Sequence, residues 1–340
     1  MGRIVCFGEI MMRLNPSGNL RFLQADTFHV SYAGSEANVA VSLANLGLVS
    51  SFVSSVPDNE VGQGAIHSLR KFGVDTGFIN RSGERLGIYF VEKGASQRPS
   101  KVIYDRKHSA IATAVLEDFH WDEIFQDAQW FHFSGITPAL NENVAAICYE
   151  ACKEAKRRNI KVSCDLNYRS KLWTKEQASN VMTRLMKYVD ICIGNEEDAE
   201  KVFNIECGHS DEHFQSVDYD SYRSVAEILM EKFDFEMVAL TLRESLSANR
   251  NLWSGLLYDG EHYHLSKKYD VNIVDRLGAG DSFAAGVIYS IINSFSGEKS
   301  INFAVAASCL KHTMEYDFNL STVDEIENLM NGDEAGRVKR

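Results

Sequence analysis

The sequence predicts an α/β protein with a mostly parallel central sheet and helices on both of its faces. Short apolar segments with strand character alternate with amphipathic segments through most of the chain, a pattern typical of parallel sheets. The chain has 340 residues, of which 45% are hydrophobic, so it can bury a large core. Two regions, 11–32 and 85–106, break the alternation and have the period-two character of extended segments.

The elements follow each other in a regular order. Strands are predicted at 4–8, 51–56, 130–134, 161–165, 191–194 and 237–242. Helices are predicted at 62–72, 143–158, 175–186, 222–233 and 301–313. Segment 62–67 contains two glycines, but it lacks the third glycine of a dinucleotide fingerprint and follows no clean strand, so we interpret it as a helix start.

Composition excludes several classes of protein. The net charge is −12 with dispersed Lys and Arg, which argues against an extended nucleic-acid surface. No segment approaches the ~20 uninterrupted apolar residues of a membrane span, and residues 1–8 are too strand-like for a signal peptide. Seven cysteines lie singly in apolar segments and suit buried, reduced thiols. We therefore expect a cytoplasmic protein that contacts neither membrane nor nucleic acid.

The segment Asp275-Arg276-Leu277-Gly278-Ala279-Gly280-Asp281-Ser282 carries the clearest chemical signal. Its small residues let the backbone approach an anion, and a helix that starts there presents unpaired N–H groups and the positive end of its dipole. Asp281 adds a carboxylate that could take a proton from a hydroxyl, which suits phosphoryl transfer. The alternative is a Gly-rich turn in which Asp281 is an ordinary N-terminal cap.

A second glycine-initiated segment, 33–47, is predicted to be a turn, an Ala-rich helix and a Gly stop. Together the two segments resemble the signature regions of the ribokinase-like (PfkB) family of sugar kinases. The resemblance implies a three-layer α/β/α domain over 1–330, with 331–340 as a flexible tail. It also implies that 11–32 and 85–106 form a small β-sheet lid, through which a homodimer or higher homo-oligomer is expected.

The resemblance assigns roles to residues of the segment 275–282. Asp281 matches the catalytic base, and the backbone of Gly278, Ala279, Gly280 and Asp281 matches the anion hole for the phosphoryl group of ATP. Asp275 matches a position that helps hold a monovalent cation such as K⁺, although Arg276 stands where many relatives carry Thr. For Asp275, a turn or strand-end carboxylate is the alternative.

The resemblance also implies a site for Mg²⁺. Asn195 opens an Asn-x-x-Glu-like element in which Asp198 replaces the usual Glu. Asp198 is expected to act on Mg²⁺ through water, with Glu197 as a substitute. An acidic helix N-terminus stabilised by the helix dipole is the alternative.

The nucleotide is expected to contact two further segments. Thr241 and Arg243 lie where many relatives carry a Lys-x-Gly-x-x-Gly element, and this chain has no glycine there. Arg243 is expected to meet the phosphates. Lys311-His312-Thr313 and Asn319 lie where the family closes over the adenine. For His312, a helix residue satisfied by packing is the alternative.

Lid and strand-end residues indicate the substrate. Tyr89, Tyr104 and Arg106 lie in the lid segments, and Arg169 follows a core strand, where ligands of open α/β sheets bind. Two guanidinium groups in one pocket would select a carboxylate, through contacts worth roughly 1.5 to 3 kcal/mol. Surface salt bridges for the arginines, and packing for the tyrosines, are the alternatives.

These positions resemble the 2-keto-3-deoxygluconate kinase branch of the family. Gly34 and Asn38 are expected to hold hydroxyls of the sugar. Arg13 stands near the position where neutral-sugar kinases carry an Asp, which disfavours ribose or adenosine. The resemblance thus implies ATP-dependent phosphorylation of the terminal hydroxyl of 2-dehydro-3-deoxy-D-gluconate. A fructokinase or another PfkB sugar kinase, and a non-catalytic protein that binds sugar acids, are the alternatives.

Overall fold

The structure is a computed structural model that describes residues 2–206 and 218–332, so most of the predicted tail, 333–340, lies outside the described residues. Its strands are β1 (Arg3–Phe7), β2 (Met11–Asn15), β3 (His29–Ala33), β4 (Ser50–Val56), β5 (Ile79–Arg81), β6 (Gly87–Glu92), β7 (Lys101–Asp105), β8 (Ala128–Ser134), β9 (Lys161–Asp165), β10 (Ile191–Gly194), β11 (Met237–Ser247), β12 (Arg250–Tyr258), β13 (Tyr263–Leu265) and β14 (Tyr269–Asn272). Its helices are α1 (Ser35–Asn45), α2 (Glu60–Arg70), α3 (Trp121–Ile124), α4 (Glu142–Arg157), α5 (Lys175–Leu185), α6 (Glu196–Phe203), α7 (Tyr219–Phe233), α8 (Ala279–Ile292), α9 (Gly297–His312) and α10 (Val323–Met330).

A ten-stranded sheet forms the centre of the molecule, with the order β13-β12-β11-β10-β9-β8-β1-β4-β5 and β14 paired to β12. The strands from β11 to β5 pair in parallel. Strands β12, β13 and β14 add an antiparallel edge. One hydrophobic cluster packs this sheet against α4 to α7, and another packs its opposite face against α1, α2, α8 and α9. The three-layer α/β/α fold class is therefore confirmed.

The second sheet has four strands in the order β3-β2-β6-β7. Its strands come from the two segments that break the alternation in the sequence. Strands β2 and β6 pair in parallel, whereas the two outer pairs are antiparallel. Met11, Ala33, Tyr89 and Val91 form a small apolar cluster of this sheet, against which Leu277 packs from the loop before α8. The lid is thereby placed over the start of α8.

Each of the six predicted strands is present, although β11 continues to Ser247, five residues beyond its predicted end, and the helix boundaries differ mainly at the N-termini. Helix α2 begins at Glu60 because the Asn59 side chain accepts hydrogen bonds from the amides of Val61 and Gly62. Helix α9 begins at Gly297, four residues before the predicted start, after the cap Ser296. The antiparallel edge formed by β12 to β14 was not predicted.

The composition predicted buried, reduced cysteines and no membrane span, and the structure allows both expectations to be compared with it. The six cysteines in the described residues are buried and form no disulfide, in agreement with the prediction of buried thiols. Within residues 2–206 and 218–332, every helix is too short or too polar to cross a bilayer.

Candidate active site

Two cavities open beside the start of α8. The larger, of about 360 Å³, lies at the carboxyl ends of the core strands, and the smaller, of about 110 Å³, lies under the lid. The residues that line both cavities are Asn167, Arg169, Leu277, Gly278 and Asp281. Asp281 therefore lies where the two cavities meet.

The Asp281 carboxylate is held by two side chains of α1. Ser35 Oγ donates to Oδ1 at 2.8 Å, and Asn38 Nδ2 donates to Oδ2 at 2.6 Å. Burial raises the pKa of Asp281 to about 7, with further increases from Asp317 and Glu36, while the two hydrogen bonds oppose this shift. Each carboxylate oxygen has a second lone pair, so this group can still accept a proton near neutral pH.

The turn before Asp281 has the geometry of an anion site. Gly278 has a left-handed backbone with φ of 84°, and a Cβ atom there would lie 1.9 Å from the carbonyl oxygen of Asp317. A Cβ on Gly280 would meet nothing within 4 Å, so open space lies in front of this residue. The Ala279 amide donates to the Arg276 carbonyl at 3.4 Å, a long contact. The amides of Gly280 and Asp281 have no acceptor among the described residues and are the better anion donors.

The lid contributes an aromatic wall to the smaller cavity. Tyr89 and Tyr104 stack with ring centroids 6.0 Å apart, and both line the cavity. Tyr89 is buried, and burial together with Asp317 raises the pKa of its hydroxyl well above the ordinary value. The Arg106 guanidinium and the Lys171 ammonium lie 5.6 and 5.9 Å from the centre of the Tyr104 ring.

Arg106 lines the smaller cavity, but its fork is already occupied. Its Nε donates to Glu9 Oε2 at 2.7 Å, and its Nη2 donates to the same oxygen. Ser109 Oγ donates to the other Glu9 oxygen at 2.6 Å. The Glu9 carboxylate thus occupies Nε and Nη2 of Arg106, and only Nη1 has no acceptor among the described residues; the contact of Arg106 with a substrate carboxylate stays a prediction.

Arg169 differs from Arg106. It is exposed, lines both cavities, and has no carboxylate partner among the described residues. Its Nη1 donates to the Tyr168 carbonyl at 2.8 Å. The structure thus brings both predicted arginines to one cavity, with Arg169 as the guanidinium that is free to bind an anion.

Gly34 and Asn38 lie at the start of α1 and line the smaller cavity. A Cβ on Gly34 would lie 1.9 Å from the Glu9 carbonyl oxygen, so only glycine fits there. Asn38 Oδ1 accepts from the Gly34 amide at 3.4 Å while its Nδ2 binds Asp281. Asn38 therefore orients the carboxylate, in addition to the predicted contact with the sugar.

Acidic residues at the start of α6 line the larger cavity. Asn195 caps the helix, with its Oδ1 accepting from the Asp198 amide at 2.9 Å. Asp198 is buried and accepts from the Tyr168 amide at 2.9 Å, and burial raises its pKa to about 6. Glu197 is half-buried and pairs with Lys201. Of the two candidates for the metal, Asp198 thus has the more enclosed carboxylate.

Asp165 was not predicted as a site residue, yet it lines the same cavity. Burial and the nearby Asp198 and Asp281 raise its pKa well above the ordinary value. Within the described part of the chain, no three His, Cys, Asp or Glu residues are close enough to form a complete metal site. These carboxylates fit Mg²⁺ held through water and phosphate oxygens, the usual mode for this ion.

Strand β11 supplies the opposite wall of the larger cavity. Thr241 and Arg243 are two residues apart on this strand and both line the cavity. Arg243 is exposed and has no carboxylate partner among the described residues. Arg276, which was not predicted as a nucleotide contact, lines the cavity with Arg243 and donates to the Ala248 carbonyl at 2.8 Å. Burial and Arg243 lower the pKa of Arg276, as expected for two neighbouring cations.

Lys311 and Asn319 line neither cavity, and their contact with the adenine stays a prediction. Lys311 is fully buried. Asn319 Nδ2 donates to Ser282 Oγ at 2.5 Å and to the Ala307 carbonyl at 3.3 Å. His312, which belongs to the same predicted segment as Lys311, lines the larger cavity and packs edge-on against Trp253 with ring centroids 4.9 Å apart.

Asp275 lies behind the anion site. It is buried and accepts from Arg13 Nη2 at 2.5 Å, while Arg13 Nη1 donates to Asp317 at 2.6 Å. Arg13 is itself fully buried and lines neither cavity. Arg13 is therefore an ion-pair partner buried behind the cavities, out of reach of a ligand bound in them.

Ser35, Glu9, Asn167 and Arg276 are, with Asp165, among the cavity residues to which the sequence patterns gave no site role. Ser35 follows Gly34 at a helix start, which is a signal for a cap but not for a contact with Asp281. Asn167 has φ of 39° and places its Nδ2 3.2 Å from Ser35 Oγ. Such contacts join segments more than 130 residues apart, so local sequence patterns do not reveal them.

Comparison with known proteins places this site in a family. Residues 1–317 match the pfkB family carbohydrate kinase description. The solved structure of 2-dehydro-3-deoxygluconokinase from Thermotoga maritima is similar, with a TM-score of 0.95 and 50% identity, over 98% of this chain and 100% of that one.

Two curated relatives agree with this match. A 2-dehydro-3-deoxygalactonokinase from Haloferax volcanii is 32% identical over 98% of both chains. A 2-dehydro-3-deoxygluconokinase from Thermoproteus tenax is 28% identical over 90% of this chain and 87% of the relative. The family match over nearly the whole chain agrees with the two cavities and the glycine-rich helix start, and the protein belongs to the pfkB family of carbohydrate kinases.

Proposed function

We propose that this carbohydrate kinase transfers the γ-phosphoryl group of ATP to the terminal hydroxyl of 2-dehydro-3-deoxy-D-gluconate, giving the 6-phosphate. The observation that carries the proposal is the position of Asp281 at the junction of the two cavities. Relatives whose names specify 2-dehydro-3-deoxy sugar acids support the choice of substrate.

In the smaller cavity, the sugar acid would place its carboxylate against Arg169 and the remaining Nη1 of Arg106. Arg169 supplies a guanidinium that forms no salt bridge among the described residues, and the Glu9–Arg106 pair fixes the wall beside it. A charge-assisted contact to a carboxylate is worth roughly 1.5 to 3 kcal/mol. A neutral sugar would leave Arg169 without this contact, so the cavity should favour acids.

In the larger cavity, the triphosphate would lie between α6 and the start of α8. Arg243 and Arg276 provide positive charge on one side, and Asp198, with Glu197 and Asp165 nearby, would hold Mg²⁺ through water on the other. Bound Mg²⁺ would neutralise charge on the phosphates. The Thr241 hydroxyl and the Asn195 side chain line the wall beside them.

Transfer would then proceed at the junction. Asp281 accepts the proton of the terminal hydroxyl as the hydroxyl oxygen attacks the γ-phosphorus, and ADP leaves on the opposite side. The amides of Gly280 and Asp281 donate hydrogen bonds to the phosphoryl oxygens during transfer. Ser35 and Asn38 hold the carboxylate in place, so little reorganisation is needed.

A coupled ADP-release assay over a panel of sugars tests this proposal. The panel contains 2-dehydro-3-deoxygluconate, its galactonate epimer, 5-dehydro-2-deoxygluconate, gluconate, fructose and ribose, each with ATP and Mg²⁺. We expect the highest kcat/KM for a 2-dehydro-3-deoxy sugar acid. Fructose as the best substrate would overturn the choice of substrate. A panel with no turnover, combined with binding of a sugar acid, would favour the non-catalytic alternative.

We also propose a homodimer formed through the lid. Edge strand β3 exposes Val30, which is 56% accessible, and Phe28 and Ile103 expose 39% and 42% on the same sheet and its approach. Exposed apolar groups on an open sheet edge favour pairing with another chain. Light scattering should give the mass of two chains for the wild type and of one chain for Val30→Glu. A monomeric wild type would contradict this assembly.

A further inference from the structure

A buried group of four charges lies directly behind the anion site. Arg13 donates to Asp275 at 2.5 Å and to Asp317 at 2.6 Å, and Lys311 is buried beside these carboxylates. The exposed fraction of the Arg13 and Lys311 side chains is zero or nearly so. Buried charges persist only where partners offset the loss of hydration, and here two cations face two anions.

The Lys311 ammonium binds main-chain oxygens. It donates to the Asp275 carbonyl at 3.4 Å and to the Met314 carbonyl at 3.3 Å. The first carbonyl lies in the loop that leads into Gly278. The second precedes Asp317, whose own carbonyl oxygen contacts Gly278 so closely that a Cβ there would lie 1.9 Å away. Lys311 thus joins the two segments that set the position of the anion-binding turn.

Burial lowers the pKa of Lys311, and the carboxylates of Asp275 and Asp317 oppose that shift, while Arg13 adds to it. The Asp281 carboxylate, on the other side of the anion-binding turn, also raises the pKa of Lys311. The ammonium is compact and carries three donors, so it can serve several oxygens at once. In this respect it resembles a monovalent metal ion that gathers carbonyl oxygens.

The residues present do not fit the monovalent cation that the sequence resemblance placed at Asp275. Both carboxylate oxygens of Asp275 are engaged, since Oδ2 accepts from Arg13 and Oδ1 accepts from the Leu277 amide at 3.1 Å. Its carbonyl oxygen and that of Met314 accept from Lys311. Lys93 Nζ lies a further 3.9 Å from Oδ2. Three side-chain cations already face the oxygens that an ion would need.

We propose that Lys311 is a positioning residue whose ammonium takes the place of a monovalent cation behind the anion hole, so that this enzyme works without K⁺. Arg13 completes the arrangement by neutralising Asp275 and Asp317. Lys311 acts through the backbone of the turn and does not touch the substrates. The rate part of this inference rests on the proposed kinase function, whereas its structural part does not.

The first measurement compares the wild type in buffers that contain K⁺, Na⁺ or only tetramethylammonium, a cation too large for a buried site. We expect kcat to agree within about twofold and Tm to be the same in all three buffers. A severalfold activation of the wild type by K⁺ would overturn the proposal. The assay uses whichever sugar the panel identifies as the best substrate.

The second measurement uses Lys311→Ala, which removes the ammonium and leaves space for an ion. In tetramethylammonium we expect kcat at least tenfold below the wild type and a lower Tm. Addition of K⁺ or NH₄⁺ should raise both values. Lys299→Ala, on the same helix but exposed, is the matched control and should show no response to cations.

Lys311→Met is measured in parallel. Its side chain has about the same length as that of lysine, so it removes the charge without leaving space for an ion. It should lose rate like Lys311→Ala but gain nothing from K⁺. If K⁺ and NH₄⁺ change neither kcat nor Tm of either variant, the proposal is contradicted and Lys311 is a packing residue. The Tm response requires no substrate, so it separates a failure of this inference from a failure of the proposed function.

Discussion

The two cavities that meet at Asp281 differ in how their charges are paired. Under the lid, Glu9 and Arg106 are bound to each other. In the larger cavity, Arg243 has no carboxylate partner among the described residues, and Arg169 reaches both cavities in the same unpaired state. The lid cavity therefore combines an internally paired arginine, Arg106, with Arg169, whereas Arg243 in the larger cavity forms no salt bridge among the described residues. Paired arginines set the shape of the site, and unpaired ones are available to bind ligands.

Substitution of Asp281, which lines both cavities, should have the largest effect on kcat. Asp281→Asn keeps the shape of the side chain and removes the base, so we expect kcat to fall about 10³-fold, within the range usual for general bases. Steady-state ADP release measures it. Asp122→Asn, an exposed change on α3, is the control and should keep the wild-type rate. A kcat near that of the wild type in a folded Asp281→Asn protein would remove Asp281 from this role.

Gly278 forms part of the wall between the cavities, and its substitution should cost about 100-fold in kcat. In Gly278→Ala the new Cβ would collide with the Asp317 carbonyl oxygen and displace the anion-binding turn. Gly73→Ala is a matched control, because Gly73 also has a positive φ, of 80°, but open space around it. That control should lose about 1 kcal/mol of stability and keep its rate. Equal losses of rate would mean that the collision is not the cause.

Substitution of the two arginines without salt bridges, Arg169 and Arg243, should affect KM for the sugar acid and KM for ATP differently. Arg169→Ala should raise KM for the sugar acid roughly 10- to 100-fold and KM for ATP far less, because it removes a charge-assisted contact to a carboxylate. Arg243→Ala should show the reverse pattern. Initial rates over both concentrations give the four KM values. An equal rise of both KM values in Arg169→Ala would show that this side chain serves the phosphates as well.

The pKa of Asp281 predicts a smaller effect of pH on the rate. Since burial raises this pKa to about 7, the base is half ionised at pH 7 and mostly protonated at pH 6, so kcat should fall about fivefold between these two pH values. Stability should change in the opposite sense. The folded pKa exceeds the ordinary value of 3.8, so ionisation opposes folding and Tm should decrease as pH rises from about 4 to 7. Asp281→Asn should lack this contribution to the Tm profile, which calorimetry measures.

Local sequence patterns predicted much of the fold. The six core strands and the glycine-rich start of α8 depend on apolar alternation and on backbone freedom, which neighbouring residues determine. Helices α2 and α9 begin at Glu60 and Gly297, before the apolar periodicity becomes visible, because the side chains of Asn59 and Ser296 cap them there. The antiparallel edge of β12 to β14 was missed because β12 is buried on both faces without alternation, while β13 and β14 have only three and four residues.

The site was predicted less completely, for a different reason. Sequence motifs identified Asp281, Gly278 and Asn38, because each belongs to a segment with a recognisable turn and helix start. The pairing of Arg106 with Glu9, 97 residues away, decides whether that arginine is free, and no local pattern contains it. The same holds for Lys311, whose buried contacts with Asp275 and Met314 could not be inferred from an Ala-rich helix end.

The most direct measurement is a crystal structure of Asp281→Asn with 2-dehydro-3-deoxygluconate and a non-hydrolysable ATP analogue. We expect the terminal hydroxyl to lie about 3 Å from the side chain at position 281, in line with the γ-phosphate, whose oxygens accept from the amides of Gly280 and residue 281. We also expect the sugar carboxylate to lie beside Arg169. A terminal hydroxyl that points away from this side chain, or a γ-phosphate outside the turn at Gly278, would contradict the account.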